Sequence, residues 1–202
     1  SGGASEHFFF CWLVVSITTQ AFQQAALSLG CDIACIRAVD EVESAGAGFD
    51  ERGRVKILFE PHIFAKYSGH KFDKSHPHLS YGNWKPGAPS YSRDQHAVLA
   101  EAKALDPKAA IMSASWGRYQ LMGFNFEACG FRNVYDFEAA MNNGEGAQLG
   151  AFVKFILKDK VMLIALRAKD WRAFAERYNG PGFAKNKYDT KLAAAYAKHG
   201  GK

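Results

Sequence analysis

Glu43 stands where a folded chain would sooner place a methyl group. From Asp32 to Ser44 there is neither proline nor glycine. Ile33, Ile36, Val39 and Val42 recur at three-residue intervals there, as one broad side of a helix requires, before Gly46 stops the run. At about 100° per residue, Glu43 falls within roughly 20° of Ile36, inside the apolar fan, while Glu41 points the other way. A carboxyl group on that side loses water, its charged form is disfavoured, and its pKa rises toward the range of a general acid. The plain alternative is a glutamate at a fraying helix end that reaches solvent. A second carboxyl group of interest is Glu60, which ends the run Val55-Lys56-Ile57-Leu58-Phe59-Glu60, read as a short strand. Alternation sets it opposite Phe59 and on the side of Leu58, where a carboxylate is costly unless it faces a polar cleft. Its other possible roles are to cap the helix starting at Pro61 or to pair with Arg54 or Lys56.

The elements that must hold these groups are mostly helical. Thr18 or Thr19 caps a helix whose Phe22, Ala25, Ala26 and Leu29 share one face, and Gly30 ends it. Asp32 caps the helix of Glu43. Pro61 suits the first turn of a helix running to Gly69. Residues 70–92, rich in His, Pro, Gly, Tyr and Trp, form the least regular part. Trp84, Tyr81 and Tyr91 there either stack on a ligand ring or pin the loop to the domain. A helix from Arg93 to Leu105 and a turn of helix from Pro107 follow. Glycines and small residues then alternate with large ones from Met112 to Asn125. Helices are expected over 134–141, 145–158, 161–166, 170–178 and 188–198, broken by Asn179-Gly180-Pro181-Gly182. The result is a mainly α chain with one small strand region near Glu60.

At 202 residues and 48% hydrophobic content the chain can bury the core of one domain. The formal charge of +5 suits an anionic partner: nucleic acid, a membrane surface or an acidic wall polymer. The basic residues are scattered, without zinc-finger spacing or an RNA-binding aromatic signature, so no nucleic acid is expected. Seven histidines show no zincin spacing, so no metal is expected. Cys11, Cys31, Cys35 and Cys129 read as reduced thiols, with an oxidised pairing of Cys11 left open. Residues 1–16 read as an apolar N-terminal segment or a remnant of cloning. Its run Phe8 to Val15 is well short of the roughly 20 residues of a membrane span, which leaves packing on the domain or weak membrane association.

Three separated segments line up: Glu43-Ser44, Gly117-Arg118-Tyr119-Gln120-Leu121-Met122 and Arg177-Tyr178-Asn179-Gly180-Pro181-Gly182. Together they resemble the lysozyme-like superfamily of goose-type lysozymes and soluble lytic transglycosylases. With Lys56-Ile57-Leu58-Phe59-Glu60-Pro61-His62-Ile63-Phe64 and Ser113-Ala114-Ser115-Trp116 added, the pattern resembles the N-acetylmuramidase catalytic domain of phage endolysins, over nearly everything from Ile17 to His199. The resemblance implies a lysozyme-like α+β fold with a small β region next to a helix-borne catalytic Glu43, and residues 17–202 as the catalytic domain. It implies a peptidoglycan hydrolase cleaving the β-1,4 bond from N-acetylmuramic acid to N-acetylglucosamine, made in the host bacterial cytoplasm and acting on the wall, with no cofactor and as a monomer. Glycoside hydrolysis uses one protonated carboxyl group and a second that handles water or the oxocarbenium ion, which assigns Glu43 as acid and Glu60 as base and makes inversion the expected outcome. Ser44, Tyr119, Gln120, Tyr178 and Asn179 are the candidate substrate-binding residues. For Gln120 the other reading is that it holds the backbone of the glycine-rich turn. Arg118 and Tyr119 stand where transglycosylases have smaller residues, which implies a differently shaped cleft there. No wall-binding module fits ahead of residue 17, so tight anchoring is not expected. The competing chemistry is a lytic transglycosylase, using Glu43 alone to give 1,6-anhydromuramic ends.

Overall fold

The computed structural model describes residues 16–202 apart from 45 and 181. Several of its helices begin where a short polar side chain satisfies the free amides of a first turn. Thr18 Oγ1 accepts from the Ala21 amide at 3.1 Å to open α1 (Thr19–Leu29), and Gly30 closes it at φ 65°. Asp32 Oδ1 accepts from the Cys35 amide at 2.8 Å to open α2 (Ile33–Glu43). Then come α3 (Pro61–Tyr67), α4 (Gln95–Leu105), α5 (Pro107–Met112), α6 (Val134–Asn142), α7 (Glu145–Lys158), α8 (Lys160–Ala168), α9 (Trp171–Asn179) and α10 (Tyr188–Lys198). The helix expected from Arg93 starts two residues later because Asp94 takes the capping position, its Oδ1 accepting from the His96 amide at 2.9 Å. Residues 70–92 are irregular except for a 3-10 turn at Pro89–Ser92.

α2 packs between α1 and α10, with Ile36 and Val39 fully buried, so the apolar fan faces the core as its spacing requires. α7 lies against α1, α6 and α8, with Phe152 and Ile156 fully buried. Such packing, at roughly 2 kcal/mol per large apolar side chain, fixes the end of α2 and therefore Glu43.

Where the sequence suggests one strand region, three antiparallel strands form in the order β1 (Ile57–Phe59), β2 (Ala114–Trp116), β3 (Leu121–Met122). The last two have three and two residues, too few to show a period-two pattern. Leu58 pairs with Ser115 and Ser115 with Met122, so these three share one face. Ile57, Phe59, Ala114, Trp116 and Leu121 lie on the other and are buried. Glu60 continues β1 in extended conformation, which sets it on the Leu58 face as alternation requires.

Cys31, Cys35 and Cys129 are free thiols. Cys11 and the apolar run from Phe8 to Val15 lie outside the described residues. Among those described, no helix is long and apolar enough to cross a membrane, and no cluster of His, Cys, Asp or Glu is arranged to hold a metal ion.

Candidate active site

Glu43, the last residue of α2, lines a cavity of about 440 Å³. Gln120, Met122, Asn125, Asn179 and Tyr188 form other parts of its wall. Burial pushes the Glu43 carboxyl up to about 7. The bond that Asn179 Nδ2 donates to Glu43 Oε1 at 3.0 Å opposes the rise, because it favours the charged form. A carboxyl group titrating near neutrality can give its proton away in a cavity and still accept a hydrogen bond afterwards.

The helix that carries Glu43 is tied to the β2–β3 turn by a buried polar network rooted at Asp40, one turn back from its end. Arg118 grips Asp40 with both arms of its fork, Nε to Oδ1 at 2.7 Å and Nη2 to Oδ2 at 2.8 Å, and the Tyr119 hydroxyl donates to Asp40 Oδ1 at 2.7 Å. Arg118 Nη1 donates to the Gly46 carbonyl at 2.8 Å and lies 3.5 Å from Glu145 Oε1. Glu145 Oε1 in turn accepts from the Gly48 amide at 2.6 Å. Gln148 accepts from the Arg118 amide at 2.7 Å and donates to the Met141 carbonyl at 2.9 Å. One carboxylate from α2 and two side chains from α7 thus hold both the loop after Glu43 and the β2–β3 turn. A methyl group at Gly48 or Gly117 would overlap the Gln148 amide, and Gly117 also sits at φ 69°, where a side chain is strained. Asp40, Glu145 and Gln148 were not legible as site residues, since the partners that join them to the loop after Glu43 and the β2–β3 turn lie 27 to 97 positions away.

Glu60 is fixed differently. Its amide donates to the Ser113 carbonyl at 2.9 Å, tying it to the start of β2. Its carboxylate Oε2 accepts from the Tyr91 hydroxyl at 2.6 Å. His62 Nδ1 lies 3.5 Å from the same oxygen, within ion-pair reach but without hydrogen-bond geometry. The side chain makes no capping bond to α3 although Glu60 occupies that position, and Arg54 is engaged by Asp50 and Asp94. Glu60 is not among the residues lining the Glu43 cavity. Of the three aromatics flagged in the irregular segment, Tyr91 turns its hydroxyl to Glu60. Tyr81 is buried beneath the Lys85 ammonium, 4.5 Å from its ring, and Trp84 is 60% exposed.

The remaining candidates divide into two groups. Asn179, Ser44 and Gln120 meet at the cavity with Glu43. Gln120 also holds the turn, as its other reading proposed: Nε2 donates to the Gly117 carbonyl at 2.9 Å and Oε1 accepts from Ser115 Oγ at 2.7 Å. It adopts φ 48°, a left-handed conformation in a residue other than glycine. Tyr119 and Tyr178 touch the cavity but are chiefly its back wall. Tyr119 stacks on Phe152 at 4.2 Å and is 3% exposed, and Tyr178 packs among Phe152, Phe155 and Phe174 with its hydroxyl donating to the Tyr119 carbonyl at 3.2 Å. Asn125 and Tyr188 line the cavity without having been singled out. Both stand at the ends of irregular stretches beside the motifs, which was the available signal.

A mainly helical domain with a three-stranded sheet, and a buried carboxyl group at a helix end facing a cleft of amides and phenols, define a lysozyme-like, glycan-cleaving architecture. The family model for N-acetylmuramidase matches residues 32–200. A solved structure of the endolysin of the Burkholderia phage AP3 superposes with a TM-score of 0.82 at 41% identity, covering 90% of this chain and 70% of that one. A search of curated proteins finds no match. The chain belongs to the N-acetylmuramidase family and is a peptidoglycan-cleaving enzyme.

Proposed function

We propose that residues 17–202 are the catalytic domain of a phage endolysin. It hydrolyses the β-1,4 bond from N-acetylmuramic acid to N-acetylglucosamine with inversion, and it acts as a monomer, made in the host cytoplasm, on the wall. The observation that carries the reading is Glu43 itself, buried enough to keep its proton up to about 7 yet facing a cavity whose amides suit N-acetyl and hydroxyl groups. Glu43 donates its proton to the leaving glycosidic oxygen. The carboxylate that results keeps the Asn179 hydrogen bond, which stabilises its new charge. Glu60, its Oε2 held by Tyr91, takes a proton from the water that attacks the opposite face of the sugar. Inversion needs the two carboxyl groups roughly 6.5–9.5 Å apart, with room for that water.

A second reading, a lytic transglycosylase with Glu43 as sole catalyst, is favoured by one observation: Glu60 stands outside the cavity that Glu43 lines. Replacing Glu60 separates the two. Under hydrolysis Glu60→Gln should lose at least about 100-fold in kcat, the scale of a missing general base, with an unchanged thermal transition. Near-normal turnover in that variant would remove Glu60 from the mechanism. The anomeric configuration of the first product, followed by NMR on a soluble glycan, should be α.

A further inference from the structure

Beside the Glu43 cavity lies a second groove of about 600 Å³, and Gln120 lines both. The two differ in chemistry. Amides and phenols face the first, as uncharged sugars require. The second has Val55 and Ile57 among its lining and Asp50, Glu51, Arg52, Arg54 and Asp94 around them. Part of that charge is structural: Arg54 is bound by Asp50 at 2.9 Å and Asp94 at 3.0 Å. Arg52 is not committed in the same way. Its side chain is 75% exposed, and its contact with Asp94 is a loose 3.9 Å. A guanidinium so placed offers its fork to a ligand carboxylate, and Glu51, itself exposed, offers a carboxylate to an ammonium. An uncharged glycan has no use for either.

We propose that this groove seats the stem peptide of the strand being cut, with Arg52 taking a peptide carboxylate and Glu51 the acidic counterpart for a peptide amine. The inference rests on the muramidase reading above. In that substrate the peptide departs from the lactyl group of muramic acid, next to the scissile bond, so a peptide site must adjoin the cavity of the acid, as this groove does. Its ligand is a short chain with both free carboxylates and a free amine, which matches a rim of mixed sign.

The test compares release of reducing muramic ends from soluble, peptide-bearing glycan strands and from the same strands stripped of peptide by an amidase. The wild-type chain should cut peptide-bearing strands with a kcat/KM higher by on the order of fivefold, the effect of one partly exposed ionic contact. In Arg52→Glu that ratio should fall toward one. Lys160→Glu, the same charge change at an exposed position on α8, should keep it. Equal rates for the wild-type chain on the two substrates, or a ratio that survives Arg52→Glu, would overturn the proposal while leaving the muramidase reading intact. Reducing ends from neither substrate would defeat that reading and this one with it.

Discussion

Glu43 shows how one side chain can be both poorly placed for stability and well placed for chemistry. Its carboxyl is raised above the ordinary glutamate value of 4.5 to about 7, so the folded state prefers it protonated. The cost to stability is absent well below pH 4.5, grows as pH rises from there to 7, and is fully present above 7. Glu43→Gln should therefore abolish activity, yet melt at a higher temperature than the wild-type chain at pH 8 and at nearly the same temperature at pH 4, as differential scanning calorimetry would read. Under the proposed mechanism, activity of the wild-type chain should fall on the alkaline side with an apparent pKa near 7, because Glu43 must carry its proton to act as the acid. The Asn179 bond favours the charged form, so Asn179→Ala should move that alkaline limb to higher pH whatever it does to the maximal rate. An unmoved limb would mean that another group sets it. At this scale much was legible: the three-residue spacing of Ile33, Ile36 and Val39 by itself turns Glu43 toward the core. Tyr91 as the partner of Glu60 was not, because nothing local in the irregular segment marks which of its aromatics turns a hydroxyl inward.

The elements do their work through the Asp40–Arg118 pair. With side chains 10% and 19% exposed, these ions are out of water, and removing one strands the other in a poor dielectric. Arg118→Met should cost on the order of 3 kcal/mol, roughly 6–12 °C in melting temperature for a chain of this size, and should loosen both the loop after Glu43 and the turn carrying Gln120. A melting temperature within about 2 °C of wild type would show that the network is not what holds them. The first two helices were readable from their caps, Thr18 and Asp32. The β2–β3 hairpin was not, since its strands are shorter than the pattern that reveals a strand. The Asp40–Arg118 bond joins residues 78 positions apart, a distance over which residue types alone carry no pairing signal. The replacement of small residues by Arg118 and Tyr119 hinted at a different cleft. The structure turns that hint into a brace behind the cavity.

At the scale of the whole chain the charge is basic, +5 formally, and that sign favours approach to a polyanionic wall. Long-range attraction of that kind is screened over about 10 Å at 0.1 M salt and about 3 Å at 1 M. Clearing of purified walls should therefore slow as salt is raised, whereas cleavage of a short uncharged glycan should hardly change. Comparable salt dependence on both substrates would place the effect in the active site instead. The central claim, that Glu43 and Glu60 together put water across a glycosidic bond, is tested most directly by mass spectrometry of the fragments released from purified peptidoglycan, with and without borohydride reduction. The account predicts muramic acid ends that gain the two hydrogens of reduction. Non-reducible 1,6-anhydro ends would contradict it, leaving Glu43 as the sole catalyst and Glu60 as a structural residue of the sheet.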